Sequence, residues 1–172
     1  MKIFVLADTH NKLPPRVIDL AADADEIWHL GDVCEPTITL DLEKIGPPLT
    51  VVRGNCDWNE DWPLVADLTR EGLKFRLVHI PPENPLDDVD VVLHGHTHVP
   101  RNERRSGVLF LNPGCVTRPN RGAPRSVAWL EIMDGKLKWK LVELSRRNAA
   151  GIVYAQRDSS GCTRVRPIGA WK

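Results

Sequence analysis

The sequence predicts an α/β fold of the sandwich type, and two observations support this prediction. The first hundred residues alternate short β-branched runs with amphipathic stretches, which is typical of βαβ units around a mostly parallel sheet. The second half is richer in strand patterns, two of which flank Asp134-Gly135, a strong signal for a two-residue hairpin. With 172 residues and 42% hydrophobic content, the chain is long enough to bury a core between its layers.

The first half of the chain is predicted to fold as βαβαβ. Its opening segment is a continuous apolar run, as expected for a buried strand. The first helix is indicated by Val17, Ile18 and Ala21, which are spaced to form one apolar face. The five predicted elements cover residues 2–7, 14–22, 26–30, 37–45 and 49–53.

The second half is predicted to contain six strands. The first two flank a Glu71-Gly72 turn and the last two flank Asp134-Gly135, so hairpins are expected at both places. The six strands cover residues 65–70, 74–79, 89–93, 107–111, 126–133 and 136–144. Together the two halves predict a mixed α/β sandwich.

Composition and charge exclude several classes of function. Lys and Arg together number 23, as do Asp and Glu, so no net charge draws the chain to nucleic acid or to an anionic membrane. No apolar run approaches the roughly 18 residues of a membrane span, and the chain starts with a strand pattern instead of a signal peptide. We therefore expect a cytoplasmic protein without a membrane partner. Because no CxxC pair occurs, neither a disulfide framework nor a thiolate zinc site is indicated, and free thiols are expected at Cys34, Cys56, Cys115 and Cys162.

Charge is distributed unevenly along the chain. From residue 145 onward, six basic residues stand against one acid, Asp158, which gives this segment a charge of +5. Every motif that could bind a ligand or take part in catalysis ends before residue 145. We therefore divide the chain into one domain at residues 1–144 and a basic C-terminal extension at residues 145–172.

Polar residues follow five of the predicted strands, just past their C-terminal ends. In open α/β sheets this edge is where ligands bind, because the loops there converge on a crevice above the sheet. Asp, Asn and His supply oxygen and nitrogen ligands, which suit first-row divalent metals better than thiophilic ones. The sequence therefore predicts a metal site with seven candidate ligands, namely Asp8, His10, Asp32, Asn55, His79, His96 and His98.

The spacing of these residues indicates how they meet. In Asp8-x-His10 and His96-x-His98, a spacing of two puts both side chains of a pair on the same side of an extended backbone. Seven ligands can serve two ions if one carboxylate bridges them. The sequence therefore allows a centre of two metals.

Five short motifs contain these residues, and a sixth, Asn112-Pro113-Gly114, follows them; the five are Asp8-Thr9-His10, Gly31-Asp32, Gly54-Asn55-Cys56-Asp57, His79 and Gly95-His96-Thr97-His98. Together they resemble the signature of the calcineurin-like metallophosphoesterases, especially the small bacterial and archaeal phosphodiesterases of that family. The resemblance extends from residue 1 to about residue 144. It implies the metallo-dependent phosphatase fold, a four-layer α/β/β/α sandwich of two mixed β-sheets flanked by helices.

The resemblance also implies a dimetal centre in which Asp32 is the bridging ligand. One ion would be held by Asp8, His10, Asp32 and His98, and the other by Asp32, Asn55, His79 and His96. Mn²⁺ is the favoured ion, with Ni²⁺, Co²⁺, Fe²⁺ or Zn²⁺ as alternatives. Catalytic roles beside the reacting phosphate would fall to His10, Asn55 and Cys56.

The sequence departs from the family pattern around three of these motifs. His79 is followed by Ile80-Pro81-Pro82, where relatives usually have Gly and then a polar residue. Cys115 replaces the usual Ser after Asn-Pro-Gly. Cys56 stands where family members that cleave monoesters commonly have His, and a neutral thiol is a poor proton donor. We therefore predict a preference for diesters.

The predicted function is a dimetal-dependent phosphodiesterase, which hydrolyses P–O bonds of a small phosphate ester by attack of a hydroxide that bridges the metals. The alternatives are a phosphomonoesterase and a protein-interaction scaffold with a metal-binding but weakly active phosphoesterase fold. Long nucleic acids are not expected as partners, and a homo-oligomer is left open. His29 and His94 are expected to be core residues, and Trp58 and Trp62 to be packing residues, with a substrate wall as the alternative for the tryptophans.

Overall fold

Two mixed five-stranded sheets form the centre of the molecule. The computed structural model describes residues 1–84 and 87–144, together with the backbone of residues 156–157 and 163–164. The elements are β1 (Lys2–Leu6), α1 (Pro15–Ala21), β2 (Glu26–His29), α2 (Thr37–Glu43), β3 (Leu49–Val51), β4 (Val65–Arg70), β5 (Leu73–Val78), β6 (Val91–Leu93), β7 (Arg101–Arg105), β8 (Val108–Asn112), β9 (Ser126–Met133), β10 (Lys136–Glu143), β11 (Gln156–Arg157) and β12 (Thr163–Arg164).

The two sheets have different strand orders, and both contain a parallel centre. Sheet A has the order β10-β9-β1-β2-β3, with β1, β2 and β3 parallel and β9 antiparallel to β1. Sheet B has the order β4-β5-β6-β8-β7, with β5, β6 and β8 parallel and antiparallel strands at both edges. This arrangement gives each sheet an edge at which parallel strands end together, as ligand binding in such sheets requires.

The main core lies between the sheets. In β1, Ile3 and Val5 point into this core, while the alternating residues Phe4 and Leu6 belong to a second apolar cluster with the helices. Both faces of β1 are therefore covered, which explains its continuous apolar run. Across the core, the rings of Trp28 and Phe75 meet edge to face at 5.4 Å between centroids.

Helices cover only one of the two outer faces in the described part of the chain. α1 and α2 pack on sheet A through residues such as Val17, Ile38 and Leu42. On sheet B, the crossover from β5 to β6 covers residues 79–90, and it is not helical where it is described. Pro81 and Pro82 account for this, because proline lacks the N–H and the φ freedom that a helix interior needs. The sandwich of two mixed sheets is confirmed, whereas the expected helix layer on sheet B does not occur within residues 1–84 and 87–144.

The predicted elements of residues 1–144 are all present, with ends that shift by at most two residues. Both predicted hairpin turns are confirmed, with positive φ at Glu71-Gly72 and at Asp134-Gly135. The missed element is β7, whose sequence is almost entirely charged and has no apolar alternation. Ser106-Gly107, which turns the chain from β7 into β8 with positive φ, was the available signal.

The extension at residues 145–172 lies outside the described residues, except for the backbone of β11 and β12, which pair antiparallel. In the part of the chain that is described, neither helix has the length and apolar character needed to cross a bilayer.

Candidate metal centre

The seven predicted residues meet at one edge of the sandwich. They lie on the loops that follow β1, β2, β3, β5 and β6, which converge through backbone hydrogen bonds between them. The amide of Asp8 donates to the carbonyl of Gly31, and the amide of Gly95 donates to the carbonyl of His79. The topology of the two sheets therefore brings distant parts of the sequence to one site.

Four of the seven residues form a compact cluster, in which all offered ligand atoms lie within 4.8 Å of one another. We call Asp8, His10, Asp32 and His98 the first set. Nε2 of His10 and Nε2 of His98 are 3.1 Å apart, and Nε2 of His98 is 3.4 Å from Oδ1 of Asp8. Lone-pair atoms this close are what a bound cation requires.

The remaining three residues meet around the side-chain oxygen of Asn55. We call Asn55, His79 and His96, with Asp32, the second set. Oδ1 of Asn55 lies 3.0 Å from Nε2 of His79 and 2.9 Å from Nδ1 of His96. Asp32 faces both sets, because its Oδ1 is 3.3 Å from Nε2 of His79 and its Oδ2 is 3.9 Å from Nε2 of His10. A bridging carboxylate needs this position.

Asp8 supplies a direct test of whether a metal fits here. Its Oδ2 is buried and has no hydrogen-bond partner among the described residues, although a buried carboxylate oxygen without a partner is costly. A divalent cation would compensate this oxygen and would suit a donor set of oxygen and imidazole nitrogen. The residues present therefore fit a metal.

The charge state of Asp32 also suits metal binding. Burial by itself would raise the pKa of this carboxyl, but hydrogen bonds from His79 and from the backbone amide of Cys56 outweigh it and hold the pKa well below its usual range. Asp32 is therefore ionised at neutral pH.

The histidine rings are oriented by backbone carbonyls. Nδ1 of His79 lies 2.8 Å from the carbonyl oxygen of Leu30, and Nδ1 of His98 approaches that of Arg118. If each Nδ1–H donates to its carbonyl, Nε2 remains free to face the site. Burial would lower the pKa of His79, but Asp32 and Leu30 raise it above its usual value, and a hydrogen bond to Asp8 does the same for His98. Burial lowers the pKa of His10.

The backbone of the two pairs Asp8-x-His10 and His96-x-His98 differs from the extended form that the spacing of two suggested. Asp8 and His10 have φ of 56° and 42°, and His96 and His98 have φ of 66° and 57°. These are left-handed conformations, so the prediction of an extended backbone was wrong. The side chains of each pair converge through tight turns instead, and each such residue costs roughly 1–3 kcal/mol, which the surrounding contacts must offset. Asp32, at φ 56°, follows the same rule.

Asp57 holds the loops after β2 and β3 together. Its carboxylate accepts hydrogen bonds from the backbone amides of Asp32, Cys34 and Gly54, at 2.9, 2.7 and 2.7 Å. Gly54 is needed beside it, because a Cβ there would overlap the backbone and Oδ1 of Asp32. The motif Gly54-Asn55-Cys56-Asp57 contains this residue but indicates no role for it, and its place two residues after Asn55 was the available signal.

Asn112 does the same for the loop that bears His96 and His98. Its Nδ2 donates to the carbonyl of Gly95 at 2.9 Å, and its Oδ1 accepts from the amide of Gly114 at 2.7 Å. Next to it, Sγ of Cys115 donates to the carbonyl of Asp8 at 3.2 Å, so the Cys that replaces Ser keeps a hydrogen bond at this position.

The other histidines lie behind the site. His29 is fully buried against Thr9 Oγ1 at 3.1 Å and the amide of Gly31 at 3.2 Å, and burial lowers its pKa to about 3. Burial lowers the pKa of His94 to about 4, and this ring contacts Asn112. Both rings are therefore neutral at pH 7 and support the loops from below.

Cysteines and a tryptophan lie at the open side. Cys56 is exposed and its Sγ lies 3.4 Å from Nδ2 of Asn55, while Sγ of Cys34 lies 3.6 Å from Nδ1 of His10. Burial raises the pKa of Cys34 to about 12 and also raises that of Cys56. Trp58 is 91% exposed, whereas Trp62 packs with the helix-side core. Of these two tryptophans, only Trp58 is therefore placed to contact a substrate.

Known proteins are similar to this chain in sequence and in architecture. The calcineurin-like phosphoesterase superfamily domain matches residues 1–135. Phosphodiesterase YfcE of Escherichia coli K12 is 31% identical over 161 residues, which cover 76% of this chain and 88% of the relative. A solved structure of Yfce, a phosphoesterase from E. coli, has a TM-score of 0.69 at 28% identity and covers 84% of this chain and 100% of that one.

One further relative and one further solved structure extend the comparison. A probable metallophosphoesterase of Methanothermobacter thermautotrophicus is 30% identical over 160 residues, which cover 83% of this chain and 92% of the relative. Vps29 of Chaetomium thermophilum has a TM-score of 0.72 at 20% identity and covers 96% of this chain and 93% of that one. At this identity the likeness to Vps29 shows the fold alone.

Proposed function

The chain belongs to the calcineurin-like phosphoesterase superfamily, and from this premise we propose that it is a phosphodiesterase whose two divalent ions are held by the seven residues at the sandwich edge. A metal-dependent phosphoester hydrolase follows from the family and its named relatives. The single observation that supports the assignment of residues is Asp32, whose two carboxylate oxygens face one ligand set each.

The proposed ligands divide between two ions. The first set, Asp8, His10, Asp32 and His98, holds one ion, and the second set, Asp32, Asn55, His79 and His96, holds the other. Both sets offer oxygen and nitrogen only, so Mn²⁺ is the favoured ion, with Ni²⁺, Co²⁺, Fe²⁺ or Zn²⁺ as alternatives.

The ions, when bound, supply Lewis-acid activation of water and of the phosphoryl oxygens. The chain's own residues supply position and charge. Asp32 is ionised because of its hydrogen bonds, and the tautomers of His79 and His98 are set by backbone carbonyls. His10 and Asn55 lie at the boundary between the sets and the solvent, where a phosphate ester enters.

Cys56 accounts for the proposed preference of the enzyme for diesters over monoesters. It follows Asn55 and is exposed at the open side of the site, so we place it beside the leaving group. Its raised pKa makes the thiol a poor acid, and a departing alkoxide receives little help from it. Substrates with a stable leaving group are favoured. We propose small phosphate esters as substrates, no long nucleic acid as a partner, and the cytoplasm as the compartment.

A hydrolysis screen tests the proposed function. The full chain, stripped with a chelator and reloaded with Mn²⁺, is assayed on an aryl diester, cyclic nucleotides and a matched aryl monoester. We expect activity only after reloading and a higher kcat/KM for the diester. Asp61→Asn, which removes an exposed carboxylate, is the matched control for Asp32→Asn. Hydrolysis that persists without metal, or a preference for the monoester, would contradict the proposal.

A further inference from the structure

The sequence argued against a thiolate metal site because no two cysteines are close along the chain, but the fold brings two of them together. Cys34 follows β2 and Cys56 follows β3. Their Sγ atoms and a ring nitrogen of His10 all lie within 4.8 Å of one another. We propose that Cys34, Cys56 and His10 form an additional site for a thiophilic divalent ion such as Zn²⁺ or Cd²⁺.

The distances suit such an ion. With Zn–S bonds of about 2.3 Å and Zn–N bonds of about 2.0 Å, tetrahedral geometry puts neighbouring ligand atoms roughly 3.5–3.8 Å apart. Sγ of Cys34 is already 3.6 Å from Nδ1 of His10. Cys56 is exposed, so its side chain is free to rotate toward the ion, and solvent supplies the fourth ligand.

The backbone beneath the two thiols is held in place. The amide of Cys34 donates to Asp57 at 2.7 Å, and the amide of Cys56 donates to Asp32 at 2.9 Å. Both loops are therefore anchored to one another before any ion binds, so little ordering is needed to bind it. Each thiol releases one proton to solvent as it becomes a ligand.

The new site shares His10 with the first set, and this consequence rests on the proposed function. A neutral imidazole has one lone pair, so His10 cannot serve both sites unless it loses its second proton. An ion held by the two thiols therefore withdraws His10 from the dimetal centre. We infer that thiophilic ions in excess inhibit the enzyme through Cys34 and Cys56.

Titration with Cd²⁺ tests the site directly. The reduced, Mn²⁺-loaded full chain is titrated while the ultraviolet thiolate-to-Cd²⁺ charge-transfer absorption is recorded. We expect a band in the parent protein, and the Cd²⁺ affinity obtained from it should fall roughly tenfold or more in Cys34→Ser and in Cys56→Ser. The band should persist in Cys115→Ser, whose sulfur is buried and bonded to Asp8, and in Cys162→Ser, which lies outside the described residues. No band, or a band that depends on Cys115 or Cys162, would overturn the site.

Inhibition tests the shared ligand. Cd²⁺ should suppress diester hydrolysis in the parent protein and in Cys162→Ser, and suppress it at least tenfold less effectively in Cys34→Ser. A charge-transfer band without inhibition would overturn the sharing of His10. If the parent protein hydrolyses no phosphoester, the proposed function fails, and the band still decides whether the thiolate site exists.

Discussion

The two ligand sets differ in charge and in burial. The first set contains the carboxylates of Asp8 and Asp32, which are 0% and 3% exposed. The second set shares Asp32 but otherwise offers one amide and two imidazoles, and two of these residues, Asn55 and His96, are exposed. Because buried charges attract a cation more strongly than exposed neutral groups do, we expect the first set to hold its ion more tightly. On the proposed assignment, we also expect solvent and substrate to reach the second ion more readily than the first.

The largest effect is expected from the residue that both sets share. Asp32→Asn removes the bridging charge, so both ions should be weakened and kcat should fall by roughly 10³-fold or more, since Lewis-acid stabilisation is worth several kcal/mol. Elemental analysis and kcat, compared with Asp61→Asn, provide the measurement. Two tightly bound ions with retained activity in Asp32→Asn would refute its bridging role.

Substitution of Cys56, which lies beside the second set, should change the preference between diester and monoester substrates. Cys56→His supplies an acid that titrates near neutral pH, and a well-placed general acid is worth roughly 10²–10⁴-fold. We expect monoesterase activity to rise relative to diesterase activity by a large part of this range. The readout is kcat/KM for a matched monoester and diester, with metal content measured in both proteins. An unchanged ratio in fully metallated Cys56→His would show that this position does not determine the preference.

Measured metal affinities test whether the first set binds its ion more tightly than the second set does. Asp8→Asn should weaken the tighter ion by at least the roughly 10–100-fold that follows loss of a group supporting a metal site, and Asn55→Ala should weaken only the looser one. Calorimetric titration of the metal-free protein with Mn²⁺ resolves the two affinities. The order of the two sets is reversed if Asn55→Ala affects the tighter ion.

A smaller effect is expected from pH. His79 and His98 have a raised pKa in the metal-free protein, so protons compete with the ions up to a pH above their usual 6.5. Metal affinity and activity should therefore fall as pH drops below roughly 6 to 7. A rate profile that stays flat down to about pH 5 argues against this competition.

The pKa shifts of the histidines also make the stability of the metal-free protein depend on pH. In the metal-free protein, the raised pKa of His79 and His98 stabilises the fold below about pH 6.5, and this contribution is lost as pH rises through the folded pKa. The lowered pKa of His29 and His94 acts in the opposite direction. The clear readout is therefore the rise in Tm caused by Mn²⁺, which should be larger at about pH 8.5 than at about pH 6.

The smallest effect is expected from the extension. Every residue of both ligand sets precedes residue 145, so removal of residues 145–172 should leave metal content and kcat/KM unchanged. Stability or self-association is free to change. If the shortened protein stays folded and metallated yet loses catalysis, the extension belongs to the site.

The sequence predicted those features that depend on local pattern. Short apolar runs rich in β-branched residues predicted the strands. Asp32 and His79 lie at the ends of predicted strands, which indicated a common site because parallel strands end at the same edge of a sheet. Features that depend on contacts between distant loops were not accessible. Asp57 acquires its role only when the loops after β2 and β3 adjoin, and Cys34 meets Cys56 for the same reason.

Backbone conformation was the other limit. The left-handed φ of Asp8 and His96 is imposed by contacts with neighbouring loops, and neither residue type requires it. Within residues 1–84 and 87–144, sheet B lacks a covering helix, and Pro81 and Pro82 were the sequence signal for this. β7 had no apolar periodicity, because its side chains lie at an exposed edge.

The place of β1 within sheet A has a consequence for biosynthesis. β1 leaves the ribosome before the other strands of sheets A and B, yet Lys2 pairs with Glu131 on β9, and Nδ1 of His98 contacts the carbonyl oxygen of Arg118. A nascent chain that has not yet reached β9 has no pairing partner for one edge of β1. In such a chain the candidate ligands have been synthesised, but the fold that brings them together is incomplete. The proposed metal centre is therefore complete only in the finished domain, after translation has passed β9.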